Sequence, residues 1–310
     1  MSPRRQRMVQ DLLPGLIDHR EVDWKRVANA SYLVRQRFVY GYTAPIADLR
    51  HRLMIVPPER HGGQRMVLNH VSASVPGELS RHIDPWGNCV IEFRGRRVEA
   101  GVDFEAWIAV ERSFAGGPAR LPGDRLSDPA LLEPTRMTAP TDLLAEAASQ
   151  LRRGRRGGLA LAEAAGAWSH RALRYRHGVT DVHTTAADAL ALGEGVCQDY
   201  AHVMIALCRL LGLPARYVSG HLLGEGGTHA WVEALVPDPA GSGEAVAVAL
   251  DPTNGGPAGM CHVTVATGRD YRDVAPTSGV YTGDASGRLT VTKRVDVTGV
   301  EYASGRRLSA

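Results

Sequence analysis

Lysine is almost missing from this 310-residue chain: Lys25 and Lys293 are the only two, so nearly all of its 36 basic residues are arginines. The 33 acidic residues are spread among them and the formal net charge is +3, so charge does not point to nucleic acid as a partner. Cysteine is scarce too. Cys89, Cys197, Cys208 and Cys261 are widely spaced and form no C-x-x-C pair, which argues against both a disulfide framework and a zinc knuckle. No apolar run approaches the roughly 20 residues of a membrane span. The basic start, "MSPRRQRMVQDLLPGLIDHREVDW", lacks the continuous apolar stretch of a secretory signal. The expectation is a soluble, cytoplasmic chain with reduced thiols and no membrane partner. H-E-x-x-H, P-loop, EF-hand and G-x-S-x-G patterns are all absent, so no metal or other cofactor is expected.

What is present is an ordinary globular composition, 44% hydrophobic and 22% charged, in a chain long enough for two cores. Residues 1–28 read as an N-terminal extension with room for one short helix. From residue 29 to about 115, short β-branched and aromatic segments such as "SYLVRQRFVYGY", "LRHRLMIVP" and "FEAWIAVERSF" alternate with Pro and Gly turns, the texture of an antiparallel β domain. A Gly/Pro/Asp-rich linker spans residues 116–140. Residues 141–310 carry Ala- and Leu-rich helical periods first, with the Arg-Gly run "RRGRRGG" as a solvated loop among them, and strands after Pro214. The fold class is therefore α+β: a β-rich N-terminal domain, then helices packed on an antiparallel sheet.

One cysteine stands apart. In "GEGVCQDYAHVMIALCRLLGLPARYVSGH", Tyr200, Met204, Leu207 and Leu211 recur at helical spacing, and Gly212 and Pro214 end the run. Cys197 falls in the first turn, where unpaired N–H groups and the helix dipole favour an anion, and the thiolate is the nucleophilic form of cysteine. Cys208 lies on nearly the same face but roughly 16 Å further along the axis, too far for a disulfide and placed for the core. A free cysteine is by default a small core hydrophobe, so the partners of Cys197 decide its role.

Those partners lie in "GGTHAWVEALVPDPAGSGEAVAVALDPTNGG". Two apolar stretches flank "PDPAGSG", which predicts a hairpin centred near Ala240. Ala230, Val232 and Ala234 then oppose Leu250, Val248 and Val246 on a core-facing side. The other side pairs His229 with Asp251, Trp231 with Ala249 and Glu233 with Ala247. A nucleophile, a base and a group that orients the base are the requirements for attack on an amide, and Cys197, His229 and Asp251 fill those roles in that order. Trp231, beside His229 on the same face, and His221, at a strand end, are expected to contact substrate; His262 is a further candidate for such contact, and His202 is expected to pack or bond locally.

"GVCQDYAH", "LCRLLGLPARYVSGH", "THAWVEA" and "LDPTNG" resemble the motif series of the transglutaminase-like superfamily. "SYLVRQRFVYGYTAPI", "DPWGNCVIEF" and "GRDYRDVAPTSGVYTG" extend the resemblance to the family's bacterial branch, over about residues 30–297. It implies a papain-like core, with Cys197 as nucleophile, His229 as base and Asp251 as orienting acid. Two motifs differ from the commoner pattern: "EAVAVALDP" stands where a Gly-Trp pair is usual and "SGH" where "SGY" is, which bears on the substrate pocket and not on the triad. The expected reaction is cleavage or exchange of a peptide or Gln side-chain amide through a Cys acyl-enzyme. A cysteine peptidase or amidase comes first, a transamidating acyltransferase second and a non-catalytic peptide-binding module third. Relatives in this branch also imply a possible pathway link to ATP-grasp and α-E proteins.

Overall fold

The computed structural model describes residues 16–154 and 157–309; the first 15 residues, and with them much of the expected extension helix, and two arginines of the Arg-Gly run lie outside the described residues. Six strands of more than two residues open the chain: β1 (Val27–Tyr42), β2 (Ile46–Val56), β3 (Gln64–Ala73), β4 (Glu78–Ile83), β5 (Cys89–Val98) and β6 (Gly101–Ser113). Period-two patterning sets their faces. In β1, Ala30, Tyr32, Val34, Gln36 and Phe38 are buried while Arg35 and Arg37 alternate outward. In β6 the buried set is Val102, Phe104, Ala106, Ile108 and Val110. The apolar ones share one core with Leu49 and Leu53 of β2 and Ile91 and Phe93 of β5.

The end of the chain returns to this core. Strands β11 (Thr277–Thr282) and β12 (Gly287–Tyr302) belong by sequence to the C-terminal half. Yet β11 pairs with β2, and β12 runs antiparallel to β1 along its length, from Tyr42 opposite Gly287 to Val27 opposite Tyr302. The alternation of "GRLTVTKRVDV" specifies a strand but not its neighbour. The free edge of β1 supplies the partner, and covering it removes an exposed row of backbone groups.

The second core is built around a helix. Four helices of seven or more residues, α1 (Asp142–Arg152), α2 (Gly158–Ala172), α3 (Ala186–Leu192) and α4 (Cys197–Leu210), precede β7 (Ala215–Leu222), β8 (His229–Pro237), β9 (Ala245–Asp251) and β10 (His262–Gly268). The sheet runs β9-β8-β7-β10. Helix α4 packs on β7 and β8 on one side and on α1, α2 and α3 on the other. Every residue from Gln198 to Arg209 is buried. The sequence predicts a single apolar face, whereas α4 is enclosed all round, as central helices are. Its C-terminus closes at Gly212, whose φ of 75° suits a residue without a side chain.

Candidate functional site

The first turn of α4 is fixed by Asp199. Its Oδ2 accepts the Val196 N–H at 2.7 Å and the Thr180 hydroxyl at 2.7 Å, tying the entry of the helix to the preceding loop. A side chain at Gly195 would come within 2.7 Å of Asp199 Oδ2, so this approach requires glycine. Asp199 is fully buried, and burial raises its pKa. Cys197 is the first helical residue, partly exposed, with its Sγ 3.9 Å from the carbonyl oxygen of Thr228. Thr228 is held from the other domain, its hydroxyl accepting a hydrogen bond from Lys293 Nζ of β12.

The predicted hairpin forms, displaced by two residues in register. Val232 opposes Leu250, Ala234 opposes Val248 and Val236 opposes Val246. The turn closes between Asp238 and Glu244, where the Asp238 N–H donates to the Glu244 carbonyl at 3.0 Å, and Gly241 and Gly243 take φ of 75° and 81°. This centres the loop one residue beyond Ala240. A shift of two keeps every side chain on its face. Asp251 therefore lies level with Trp231, and His229 reaches it along the diagonal. His229 Nε2 donates to Asp251 Oδ2 at 2.8 Å, and each residue is only 1% exposed.

Asp251 is the hub of the site. Its Oδ1 accepts the backbone N–H groups of Thr253 and Asn254 at 3.0 and 3.2 Å. Its Oδ2 also accepts Asn254 Nδ2 at 2.7 Å and His262 Nε2 at 3.1 Å. Burial alone would neutralise the carboxyl, but the hydrogen bonds from His229 and His262 outweigh it and hold the pKa well below the usual carboxylate range. Burial likewise opposes charge on His229, and contacts with Asp251, Cys197 and Glu225 reverse it, raising the pKa. With Nε2 engaged by Asp251, Nδ1 is the nitrogen left to serve the sulfur. Glu225 Oε2, on the partly exposed loop before β8, stands 3.2 Å from the same Nδ1.

His262 and Asn254 were not legible as partners of Asp251, since both depend on how β10 and the turn after β9 fold back. The tautomer of His262 is set: its Nδ1 accepts the Gly259 N–H at 3.1 Å, leaving Nε2 to carry the proton toward Asp251. The two expected substrate contacts are buried. Trp231 is 1% exposed and stacks on His229, with ring centroids 6.2 Å apart. Its indole occupies the space that a side chain at Gly220 would take. His221 is 2% exposed, and burial pushes its pKa down to about 3. Both residues are buried in the sheet that carries His229. His202 is buried as expected, its Nε2 accepting the Tyr271 N–H at 3.2 Å, and Cys208 is fully buried, its thiol pushed up to about 12.

His229, Asp251 and His262 are also a possible metal-ligand set, with donor atoms within 4.8 Å of one another. The two imidazoles meet a single carboxylate oxygen at 2.8 and 3.1 Å. Tetrahedral ligands held about 2.0–2.1 Å from zinc lie about 3.3 Å apart. The contacts therefore fit hydrogen bonds better than an ion's coordination shell.

The profile described as "Transglutaminase-like superfamily" matches residues 145–242, which include Cys197 and His229 but stop before Asp251. "Bacterial transglutaminase-like N-terminal region" matches residues 32–111. An uncharacterized protein of Mycobacterium leprae is 31% identical over 271 residues, 81% of this chain and 93% of its own length. An uncharacterized protein of Mycobacterium tuberculosis is 38% identical over 139 residues, 41% of this chain and 43% of its own. Among solved structures, a candidate cysteine protease from Cytophaga hutchinsonii superposes with a TM-score of 0.68 at 23% identity, covering 86% of this chain and 91% of that one. That likeness shows the fold: an α+β protein with antiparallel sheets and a papain/transglutaminase-like core. No described helix is long and apolar enough to cross a membrane. The chain belongs to the transglutaminase-like superfamily, with the bacterial N-terminal region that accompanies its core.

Proposed function

We propose that the protein is a cysteine peptidase or amidase acting on a peptide or protein substrate, with Cys197 as nucleophile, His229 as acid and base, and Asp251 as the group that orients and charges His229. The observation that carries this reading is a partly exposed sulfur in the first turn of a helix, 3.9 Å from the carbonyl of Thr228, beside which His229 is a buried imidazole whose Nε2 is fixed by a carboxylate at 2.8 Å. In the forward step the Cys197 thiolate adds to the amide carbonyl carbon. The oxygen takes the negative charge, which the Cys197 backbone N–H can meet, since the first helical N–H has no partner within the helix. The C–N bond then breaks as His229 gives its Nδ1 proton to the leaving amine, and a thioester remains. Neutral His229 takes a proton from water, the resulting hydroxide equivalent attacks the thioester, and the C–S bond breaks to return the thiolate beside an imidazolium.

Water needs no dedicated site, so hydrolysis is the primary reading. A primary amine in place of water would give transamidation by the same steps. The four unpaired thiols fit a reducing, cytoplasmic setting. The test is a peptide library incubated with the wild type and with Cys197→Ala, with and without a primary amine, followed by mass spectrometry. Cleavage products that need Cys197 but not the amine support the hydrolase. Isopeptide products that form only with the amine make the protein a transferase, and no Cys197-dependent product in either arm overturns both.

A further inference from the structure

A cavity of about 480 Å³ lies between the two cores, behind the triad and separate from Cys197 and His229. Trp24, Phe114, Trp231 and Met260 give it apolar walls. Its charged lining is unbalanced. Among the described residues Glu233 is the only acid in the lining, and both of its oxygens are occupied: His61 Nε2 is 2.6 Å from Oε1, and Arg216 Nε donates to Oε2 at 2.7 Å. Lys25 stands exposed in the lining, and Arg112 lines the interior.

Arg112 has no carboxylate within ion-pair distance among the described residues. One of its amino groups donates to the carbonyl of His262, while its Nε is buried with no hydrogen-bond partner. A desolvated guanidinium without a counter-ion is costly unless something anionic completes it. A larger open groove of about 790 Å³ on the N-terminal domain also reaches Arg112, but its Arg65 pairs with Glu111 and its Arg307 with Glu301, and among the described residues no aromatic side chain lines it to hold an apolar body.

We infer that the interdomain cavity is a binding site for a carboxylate carried on an apolar, preferably aromatic, body. The carboxylate meets Arg112, with Lys25 adding positive charge, and the apolar body lies against Trp24, Phe114 and Trp231. The cavity shares His262 and Trp231 with the surroundings of Asp251 and His229, so an occupant touches the two residues that hold the triad from behind. The inference concerns binding alone and does not depend on the proposed hydrolysis.

The test is a titration of the full chain with 3-phenylpropionate and its neutral isostere 3-phenylpropionamide, read by tryptophan fluorescence and by melting temperature. The expected result is saturable binding of the acid, with the amide at least tenfold weaker. Arg112→Met should abolish that preference, Arg112→Lys should retain part of it, and Phe114→Ala, at an exposed position, should weaken both ligands. A short peptide ending in Phe, as free acid and as amide, separates the sources: binding of the peptide acid makes the occupant a peptide C-terminus, and binding of the small acid alone makes it a free metabolite-sized acid. Equal affinity for acid and amide in the wild type, or no binding of either, overturns the inference even if Arg112→Met fails to fold.

Discussion

Asp251→Asn is the perturbation that reads the site most fully. The carboxylate accepts five hydrogen bonds, three on Oδ2 and two on Oδ1. An amide has one acceptor oxygen, so in either orientation its NH2 faces groups that now donate, and the buried His229 loses its counter-charge. Breaking a buried, hydrogen-bonded pair by removing one member costs about 3–5 kcal/mol, which for a chain of this size corresponds to a melting temperature lower by about 5–8 °C. The cost has a pH signature. Asp251 has its pKa depressed on folding, so its contribution is present above about 4, the unfolded value, and is lost as pH falls toward the folded one. His229 has its pKa raised, so its contribution is complete below about 6.5 and is lost as pH climbs toward the folded value, by at most about 1.4 kcal/mol per unit. The difference in stability between wild type and Asp251→Asn should be greatest from about pH 4 to 6.5 and shrink on both sides. Denaturant titrations at pH 3, 5.5 and 9 measure it. A difference that is constant across that range, or that grows toward pH 9, would refute an imidazolium–carboxylate pair.

Three further outcomes follow from other parts of the structure. Gly220→Ala places a methyl group against the Trp231 indole and the Val263 carbonyl, and should destabilise by about 1–3 kcal/mol by overpacking, seen as a lower melting temperature; an unchanged melt would mean that Trp231 is not packed as described. Lys293 is a cation whose burial lowers its pKa from 10.5 to about 8. Its penalty is full below the folded value and vanishes above the unfolded one, so Lys293→Met should stabilise at pH 7 by about 1–3 kcal/mol and lose that gain by pH 11; a gain that persists at pH 11 contradicts the assignment. Chelation with EDTA should leave the alkylation rate of Cys197 unchanged, and a change of more than twofold would reassign His229, Asp251 and His262 as metal ligands.

How much of this was legible beforehand depends on whether the deciding contacts were local. The two ends of α4 were readable because the Gly-rich turn before Cys197 and the Gly212 and Pro214 after the helix are local signals with local causes. The hairpin was readable in its faces but not in its register: the alternation of Ala230, Val232 and Ala234 fixes which side is buried, whereas the Asp238 cap and two left-handed glycines choose the centre of the turn. His262 and Asn254 escaped because nothing near them in sequence says that β10 brings an imidazole to Asp251. Trp231 was expected at the substrate because period two puts it beside His229, but period two does not reveal that Gly220 on the next strand opens a slot for the indole. The docking of β12 on β1, some 260 residues apart, is of the same kind.

The central claim is that one sulfur of four is set apart by its surroundings. Burial raises the pKa of Cys89, pushes Cys261 up to about 11 and Cys208 up to about 12, while Cys197 stands partly exposed in the first turn of a helix, near His229. Intact-mass analysis during iodoacetamide treatment at pH 6 tests this directly. The account predicts one fast adduct, absent in Cys197→Ala and slowed at least tenfold in His229→Ala; four thiols reacting alike, or a fast adduct that survives Cys197→Ala, would contradict it.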